Sequence, residues 1–289
     1  MLKKYFFRSF LIGAAALLIS ACSDNTVAEK AQEKSIDKSI DKSIKEIKRF
    51  GDVKSITHDL GSVRKSIEQS AKLYERLYVA ECPFNSDLLS LDPIQHNTTR
   101  QKALAMGRYA ALFVYTASYE QTRYANSYLS EVLRISDEIG IRDAFNEDQL
   151  KMLYGPNRNA DKSAVLIKAY LKATEQMYSE EKALLISYMV LGGWIQGMKL
   201  SYSLCGDYLQ HQNVSLSLYD QTYSFYNCVR LLEETKGQMD APMVLMDKLD
   251  IIRPDIESLV KTRGDIDKEL FESLKAKTLM LEKEINSLD

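Results

Sequence analysis

Residues 103–114 read ALAMGRYAALFV, and the spacing of their apolar side chains decides the fold class. Ala103, Met106, Ala110 and Phe113 recur three or four residues apart, which is the period of a helix with one buried face. The same period continues along the rest of the chain, and no segment keeps the period of two that indicates a β-strand. Glycine (12) and proline (5) are scarce in 289 residues, which favours long helices over frequent turns. We therefore predict an all-α multi-helix bundle, with further helices at 63–78, 165–177, 184–204, 216–232 and 266–288.

The predicted helix ends carry residue types that begin or end helices. Asn97-Thr98-Thr99 supplies capping side chains before the helix that contains residues 103–114. The helical spacing of apolar residues continues from there to Gly140, where we expect the helix to end. Cys82-Pro83 ends the first helix, because proline lacks a backbone N–H and restricts the residue before it. Pro242 suits the first turn of a later helix, which we expect Pro254 to kink or divide.

The first 22 residues have the three parts of a lipoprotein signal. Lys3, Lys4 and Arg8 are basic, and no acidic residue occurs before Cys22. An apolar run from 10 to 19 follows, too short for a bilayer span of about 20 residues. It ends in Ile19-Ser20-Ala21-Cys22, which resembles the lipobox of bacterial lipoproteins. The sequence therefore predicts removal of residues 1–21 and lipidation of Cys22, with an ordinary signal peptide as the alternative.

Ser23, rather than an aspartate, follows the cysteine. By resemblance to the sorting rules of bacterial lipoproteins, this favours the outer membrane over retention at the inner membrane. Ser23-Asp24-Asn25 matches only weakly the acidic signal that exports lipoproteins of Bacteroidetes to the cell surface, so the periplasmic face and the cell surface both remain open. Several acyl chains at about 0.8 kcal/mol per buried CH₂ would hold the protein stably on the membrane.

Residues 22–54 are predicted to be a tether. Lys34-Ser35-Ile36-Asp37 recurs at 38–41 and, imperfectly, at 42–45. A tract this polar cannot bury enough surface to fold alone. Its isoleucines also form a narrow helical stripe, so a transient helix that docks on the body or on a partner is the alternative. Residues 55–289 are long enough for one helical domain.

Two segments of the domain match each other. Tyr119-Glu120-Gln121-Thr122 and Tyr219-Asp220-Gln221-Thr222 share three identities and one acidic exchange. A glycine and an aromatic residue precede each segment. They are Gly107 and Tyr109 before the first segment, and Gly192-Gly193 and Trp194 before the second. We interpret this as an internal duplication of helical hairpins, with chance similarity as the alternative. Because glycine costs roughly 1 kcal/mol in a helix, we expect these glycines to permit close helix approach.

The same motifs carry a family resemblance. Gly107-x-Tyr109, Tyr119-x-Gln121, Asp137-Glu138-Ile139-Gly140-Ile141 and Gly192-Gly193-Trp194-Ile195-x-Gly197 resemble a group of uncharacterised helical lipoproteins of Bacteroidetes. The resemblance covers roughly residues 100–235. It implies an outer-membrane location and a helical fold, and it brings no catalytic residues. Gln196 stands where that family is expected to have an acidic residue.

Composition excludes some classes of function and leaves the cysteines open. The chain has 38 Lys and Arg and 40 Asp and Glu, and residues 1–21 hold three of the basic ones, so 35 and 40 would remain after cleavage. A nucleic-acid partner would require clustered basic residues, so we expect none. Cys82, Cys205 and Cys228 allow one disulfide among three pairings, or buried free thiols.

No residues have the spacing of a known catalytic or metal site. The histidines do not form a Glu-x-x-His or His-Glu-x-x-His motif, and no nucleophile elbow or phosphate-binding glycine loop occurs. The oxygen-rich run 157–163 resembles a calcium loop but has Lys162 and Lys168 at the two decisive positions, so a helix N-cap explains it better. We expect no enzymatic activity, no metal and no cofactor. The histidines are His58, His96 and His211.

The leading hypothesis is an envelope lipoprotein that binds or scaffolds an envelope protein. The alternative is a small-ligand pocket between the duplicated hairpins, and an enzyme is a distant third. Tyrosine rows at 115–128 and 219–226 suit an interface or a pocket, because the ring is buried while the hydroxyl seeks a partner; a core with satisfied hydroxyls is the alternative. The candidate ligand or interface residues are Tyr109, Tyr119, Gln121, Trp194, Tyr219 and Gln221.

Overall fold

The computed structural model describes residues 60–89, 98–155, 159–179, 182–204, 212–234 and 241–286. Within these ranges the backbone forms nine α-helices, two short 3₁₀ turns and no β-strand, so the predicted all-α fold is confirmed. The 3₁₀ turns are Ser86–Leu89 and Arg142–Ala144. The helices are α1 Leu60–Val79, α2 Thr99–Ser118, α3 Thr122–Glu138, α4 Glu147–Tyr154, α5 Asn159–Ser179, α6 Ala183–Leu204, α7 Gln212–Glu234, α8 Ala241–Lys261 and α9 Lys268–Asn286.

Helices α2 and α6 form the centre of the bundle. All described residues belong to one compact unit, Lys54–Asp289. Helix α1 packs on α7, α6 and α2, while α3 and α5 pack on α2. Helix α7 contacts α6 and α8, and the terminal helix α9 packs on α8 and returns to α6. Because α2 and α6 are surrounded in this way, both contribute many fully buried apolar side chains.

The capping residues act as predicted at two helix ends. The Thr98 hydroxyl accepts a hydrogen bond from the Gln101 amide at 3.2 Å, and the Gln101 side chain accepts one from the Thr98 amide at 3.1 Å. This reciprocal pair is a capping box, which satisfies amides that the first turn of α2 leaves without helical partners. Gly140 has φ +76° directly after α3, a conformation that glycine adopts without steric cost.

The helix that contains residues 103–114 is shorter than predicted, because a turn separates α2 from α3. Glu120 has φ +57°, the Gln121 amide donates to Thr116 O at 2.8 Å, and the Glu120 amide donates to Ala117 O at 3.1 Å. These two bonds form the Schellman motif that ends many helices. The position with positive φ is usually glycine, so a glutamate there gave no sequence signal.

Because of this turn, the two copies of the repeated motif differ in local structure. Tyr119–Thr122 forms the turn into α3, whereas Tyr219–Thr222 lies inside the continuous helix α7. The matching sequences therefore adopt different local structures, a turn in the first copy and a helix in the second. The internal duplication is not confirmed.

Two further differences concern α8 and α4. Helix α8 runs unbroken from Ala241 to Lys261 with Pro254 inside it, so the proline does not divide the helix. Helix α4 was not predicted from the apolar period. It is only eight residues long, and its N-cap is Asn146, whose side chain accepts a hydrogen bond from the Gln149 amide at 2.8 Å.

Glycines bring the central helices α2 and α6 into backbone contact, as predicted. A Cβ atom on Gly107 would lie 2.0 Å from the carbonyl oxygen of Met189, and one on Gly192 would lie 2.1 Å from that of Leu104. Both distances are far inside van der Waals contact, so no other residue fits at either position. A Cβ on Gly193 would meet nothing closer than Gly107 O at 3.5 Å. Of the adjacent glycines on α6, only Gly192 is required by this crossing.

A buried ionic cluster connects α9 to the central pair. Arg108 on α2 is 1% exposed, and its Nη2 donates to Glu282 Oε1 on α9 at 2.5 Å. Lys199 on α6 donates to the same oxygen at 3.2 Å, and Arg108 Nη1 donates to Asn286 Oδ1 at 3.3 Å. A buried charge requires such partners because its desolvation is costly. The cluster therefore holds the terminal helix in a defined position.

Candidate functional site

Trp194 and Gln221 meet at the contact between α6 and α7. The Trp194 indole N–H donates to the Gln221 carbonyl oxygen at 3.1 Å, and its ring lies 5.5 Å from that of Phe225. Trp194 is 1% exposed. Its ring and N–H therefore serve helix packing.

The side chains of Tyr219 and Gln221 are also buried. The Gln221 side-chain oxygen accepts a hydrogen bond from Ser70 Oγ on α1 at 3.3 Å, so this glutamine links α7 to α1. The Cβ of Tyr219 lies 3.0 Å from where a Cβ on Gly264 would stand. Gly264 has φ +86°, which lets the turn before α9 pass closely over the tyrosine.

Tyr119 and Gln121 stabilise the turn between α2 and α3. The Tyr119 hydroxyl donates to the Cys82 carbonyl oxygen at 2.7 Å. The Gln121 side-chain amide donates to Tyr119 O at 3.0 Å. Burial, followed by the neighbouring phenols of Tyr115 and Tyr78, raises the pKa of Tyr119. Both residues therefore hold the turn and the segment after α1 together.

Tyr109 occupies a third place, between α2 and α3. It is half-buried, and its ring lies 6.1 Å from that of Tyr128. Burial and then the charge of Glu131 raise its pKa. The structure thus brings Trp194 and Gln221 together, and Tyr119 and Gln121 together, but it does not assemble all six candidates around one pocket.

An aromatic patch, consisting of Tyr78, Phe84, Tyr119 and Tyr124, lies where α1 ends and α3 begins. Tyr78 meets Tyr119 edge to face at 5.5 Å between ring centroids, and Phe84 lies 5.8 Å from Tyr119 and 6.2 Å from Tyr124. Tyr115 lies beneath, with its ring 5.4 Å from Phe84. Tyr78 is 54% exposed and Tyr124 40%. The tyrosine row pointed to part of this patch, whereas Tyr78 and Phe84 come from segments that only the fold brings together.

A half-enclosed cavity of about 70 Å³ lies among α1, α2, α5 and α6. Small residues such as Ala71, Gly107 and Gly193 form much of its wall, and no charged residue lines it. None of the six candidates from the sequence lines it either. Sequence reasoning did not find this cavity, because it depends on the relative rotation of four helices. Its polar side chains are four hydroxyl residues: Ser66, Ser70, Tyr74 and Tyr170.

The cysteines fall into two classes. Cys82 is disulfide-bonded, and its partner lies outside the described residues, where the chain has Cys22 and Cys205. Cys228 is a free, buried thiol whose Sγ lies 3.6 Å from Ser187 O. Burial raises the pKa of Cys228 to about 12. A thiol with so high a pKa is a poor nucleophile at neutral pH.

Within the described ranges, no three His, Cys, Asp or Glu side chains gather as a metal site would require. The three histidines, the first residue of the calcium-like run (Asn157), the lipobox and the tether lie outside the described residues. None of the described helices combines the length and the apolar character that a membrane span requires. In comparisons with known proteins, the chain matches no family model, no curated protein and no solved structure.

Proposed function

We propose that this chain is a lipid-anchored, non-catalytic binding protein of the cell envelope. Lipid on Cys22 would hold it at the outer membrane, residues 23–54 would act as the tether, and the helical body would bind an envelope protein. The lipobox sequence supports the anchor. The resemblance to helical lipoproteins of Bacteroidetes agrees with this proposal, and the absence of a basic cluster from the sequence argues against a nucleic-acid partner.

The aromatic patch is the observation that carries the binding role. Tyrosine is enriched where few residues supply most of the energy of an interface, because its ring contributes large area and its hydroxyl a hydrogen bond. The Tyr119 hydroxyl is bonded to Cys82 O, and the Phe84 ring packs on Tyr115. The patch is thus ordered before any partner arrives, so binding would immobilise few additional side chains. Tyr78 and Tyr124 remain exposed enough to contact that partner.

Site-specific photocrosslinking in intact cells of the native host tests this role. A photoreactive amino acid would replace Tyr78 or Tyr124 in the full chain, one position at a time. The matched control is Tyr154 on α4, which is 55% exposed and lies outside the patch. We expect one discrete protein adduct from both patch positions and none from the control.

The interface energetics can be tested in the same cells. With the photoreactive residue at 124, Tyr78→Ser should reduce the adduct about tenfold or more, since loss of a central aromatic contact costs at least ~2 kcal/mol. Tyr154→Ser should leave it unchanged. Identical products at all three positions, or no product at either patch position, would contradict the binding role.

A further inference from the structure

Two phenol groups at the cavity among α1, α2, α5 and α6 have no hydrogen-bond partner among the described residues. Tyr74 on α1 is 2% exposed and Tyr170 on α5 is 6% exposed. Burial alone raises the pKa of both phenols, with no contribution from a bonded or charged neighbour. The buried hydroxyl of Ser66 likewise has no partner in the described part of the chain. Buried polar groups in native proteins are almost always hydrogen-bonded, so a molecule that enters the cavity would supply hydrogen-bond partners that the helices do not.

The shape of the cavity restricts what that partner can be. Ser66, Ser70 and Tyr74 stand at steps of four on α1, so the wall they form extends about 12 Å along the helix. The volume of about 70 Å³ is small for that length. It is about half of the roughly 150 Å³ of an engineered cavity that binds benzene. A wall of this length beside so small a volume suits a slender alkyl chain, part of which can extend through the open side of the cavity, better than it suits an aromatic ring.

The chemistry of the wall restricts the partner further. The walls from α2 and α6 are apolar, with Ala110, Val114 and Met189 among them. Water needs two to four polar partners, which only the α1 and α5 sides offer. No charged side chain lines the cavity, so an ionised ligand would lose its hydration without compensation. A neutral ligand with one or two oxygen atoms would satisfy the hydroxyls while its chain fills the apolar part.

We propose that this cavity is a binding site for a slim, neutral aliphatic molecule with a hydroxyl or carbonyl group, such as a medium-chain alcohol. Its oxygen would exchange hydrogen bonds with Tyr74 and Tyr170, and its chain would lie against the apolar walls. The existence of the cavity depends on small residues at Gly107, Gly193 and Ala71. This site is separate from the aromatic patch.

Methyl NMR of methionine tests the site directly. The full chain, with ¹³C-labelled methionine methyl groups, would be titrated with 1-hexanol in a sterol-based detergent, whose fused rings are too wide for the cavity. Met189 lines the cavity, whereas Met152 is 42% exposed on α4 and serves as the internal control. We expect a saturable shift of the Met189 signal, assigned with Met189→Leu, and no shift at Met152. Hexanoate and hexylammonium should leave both signals unchanged.

Three variants examine the parts of the proposal. The double variant Tyr74→Phe with Tyr170→Phe keeps the rings and removes the hydroxyls. Hexanol should bind to it about fivefold more weakly per lost hydrogen bond. Binding of xenon, an apolar control, should not change. Ala71→Leu should abolish binding of both. If that variant does not fold, Gly193→Ala adds only one methyl group to the wall without a clash and should still weaken binding.

Three results would overturn the proposal. The first is an unchanged Met189 signal up to the solubility limit of hexanol, which would leave the cavity to water only. The second is binding of hexanoate or hexylammonium as strong as that of hexanol. The third is full hexanol affinity in both the phenol double variant and Gly193→Ala.

Discussion

Gly192→Ala should destabilise the protein, whereas Gly193→Ala one residue later should not. A Cβ at position 192 would lie 2.1 Å from Leu104 O, although real Cβ contacts are essentially never shorter than 3.0 Å. Helices α2 and α6 would have to separate by roughly 1 Å at the centre of the bundle, and overpacking of this kind costs up to about 3 kcal/mol. Alanine recovers about 1 kcal/mol of helix propensity, so the net loss should be about 2 kcal/mol.

At position 193 the propensity gain acts without the clash. The nearest atom to a Cβ there is Gly107 O at 3.5 Å, an ordinary contact distance. Gly193→Ala should therefore leave the free energy of unfolding unchanged or raise it by up to about 1 kcal/mol. At about 2–4 °C per kcal/mol for a domain of this size, the two variants should differ in Tm by roughly 4–12 °C.

Urea unfolding, followed by circular dichroism at 222 nm, measures both changes. Trp194 is the single tryptophan of the chain and is 1% exposed, so its fluorescence provides a second probe. A Gly192→Ala variant as stable as the parent protein, or equal stability of the two variants, would refute the backbone contact between α2 and α6.

Three further predictions follow from buried groups. Glu282→Gln leaves the Arg108 charge buried without its anionic partner and should cost about 3 kcal/mol in urea unfolding, whereas Glu131→Gln at a partly exposed ion pair on α3 should cost less than about 1 kcal/mol. Burial raises the pKa of Tyr128 to about 12. The stability that the buried neutral phenol contributes should therefore be complete below pH 10 and lost as pH rises from about 10 to 12. Absorbance at 295 nm and the free energy of unfolding should change together across that range. Cys228 should resist maleimide at pH 7.5 in the folded protein and react after addition of urea, and fast labelling without urea would contradict its burial.

The fold class and several helix ends could be predicted because they depend on local chemistry. Residues 103–114 carry a helical period that no strand shares, Thr98 has a hydroxyl suited to capping, and Gly140 is free to adopt a positive φ. The same local reasoning failed at Glu120, where a helix ends with positive φ on a residue that normally avoids it. At Pro254 local reasoning left two outcomes open, a kink or a division, and α8 is not divided there.

The candidate site was harder to predict because it depends on which helix faces meet. Glycines at 107 and 192 correctly indicated a close crossing, since only contact explains glycine inside a well-formed helix. The pattern could not tell that Gly192 meets a carbonyl oxygen while Gly193 faces the cavity. Neither could it place Tyr78 beside Tyr119, or Tyr74 and Tyr170 at one cavity, because the members of each pair come from different segments of the chain.

Lipidation and disulfide formation compete for the same sulfur at Cys22. A lipid thioether on Cys22 would leave Cys205 as the partner of the Cys82 disulfide, because Cys228 is a free thiol in the structure. Peptide mapping without reduction should therefore find Cys82 joined to Cys205. A disulfide between Cys82 and Cys22 would be incompatible with the proposed anchor.

The most direct test of the account is mass spectrometry of the protein purified from the envelope of its native host. The lipid-anchor proposal predicts that the mature chain begins at Cys22 and carries the mass of a diacylglycerol group on that cysteine. A Cys22→Ala variant should lose this mass and leave the membrane fraction, while Ser23→Ala should keep both. A mature chain that begins at another residue, or an unmodified Cys22 in membrane-bound protein, would contradict the account.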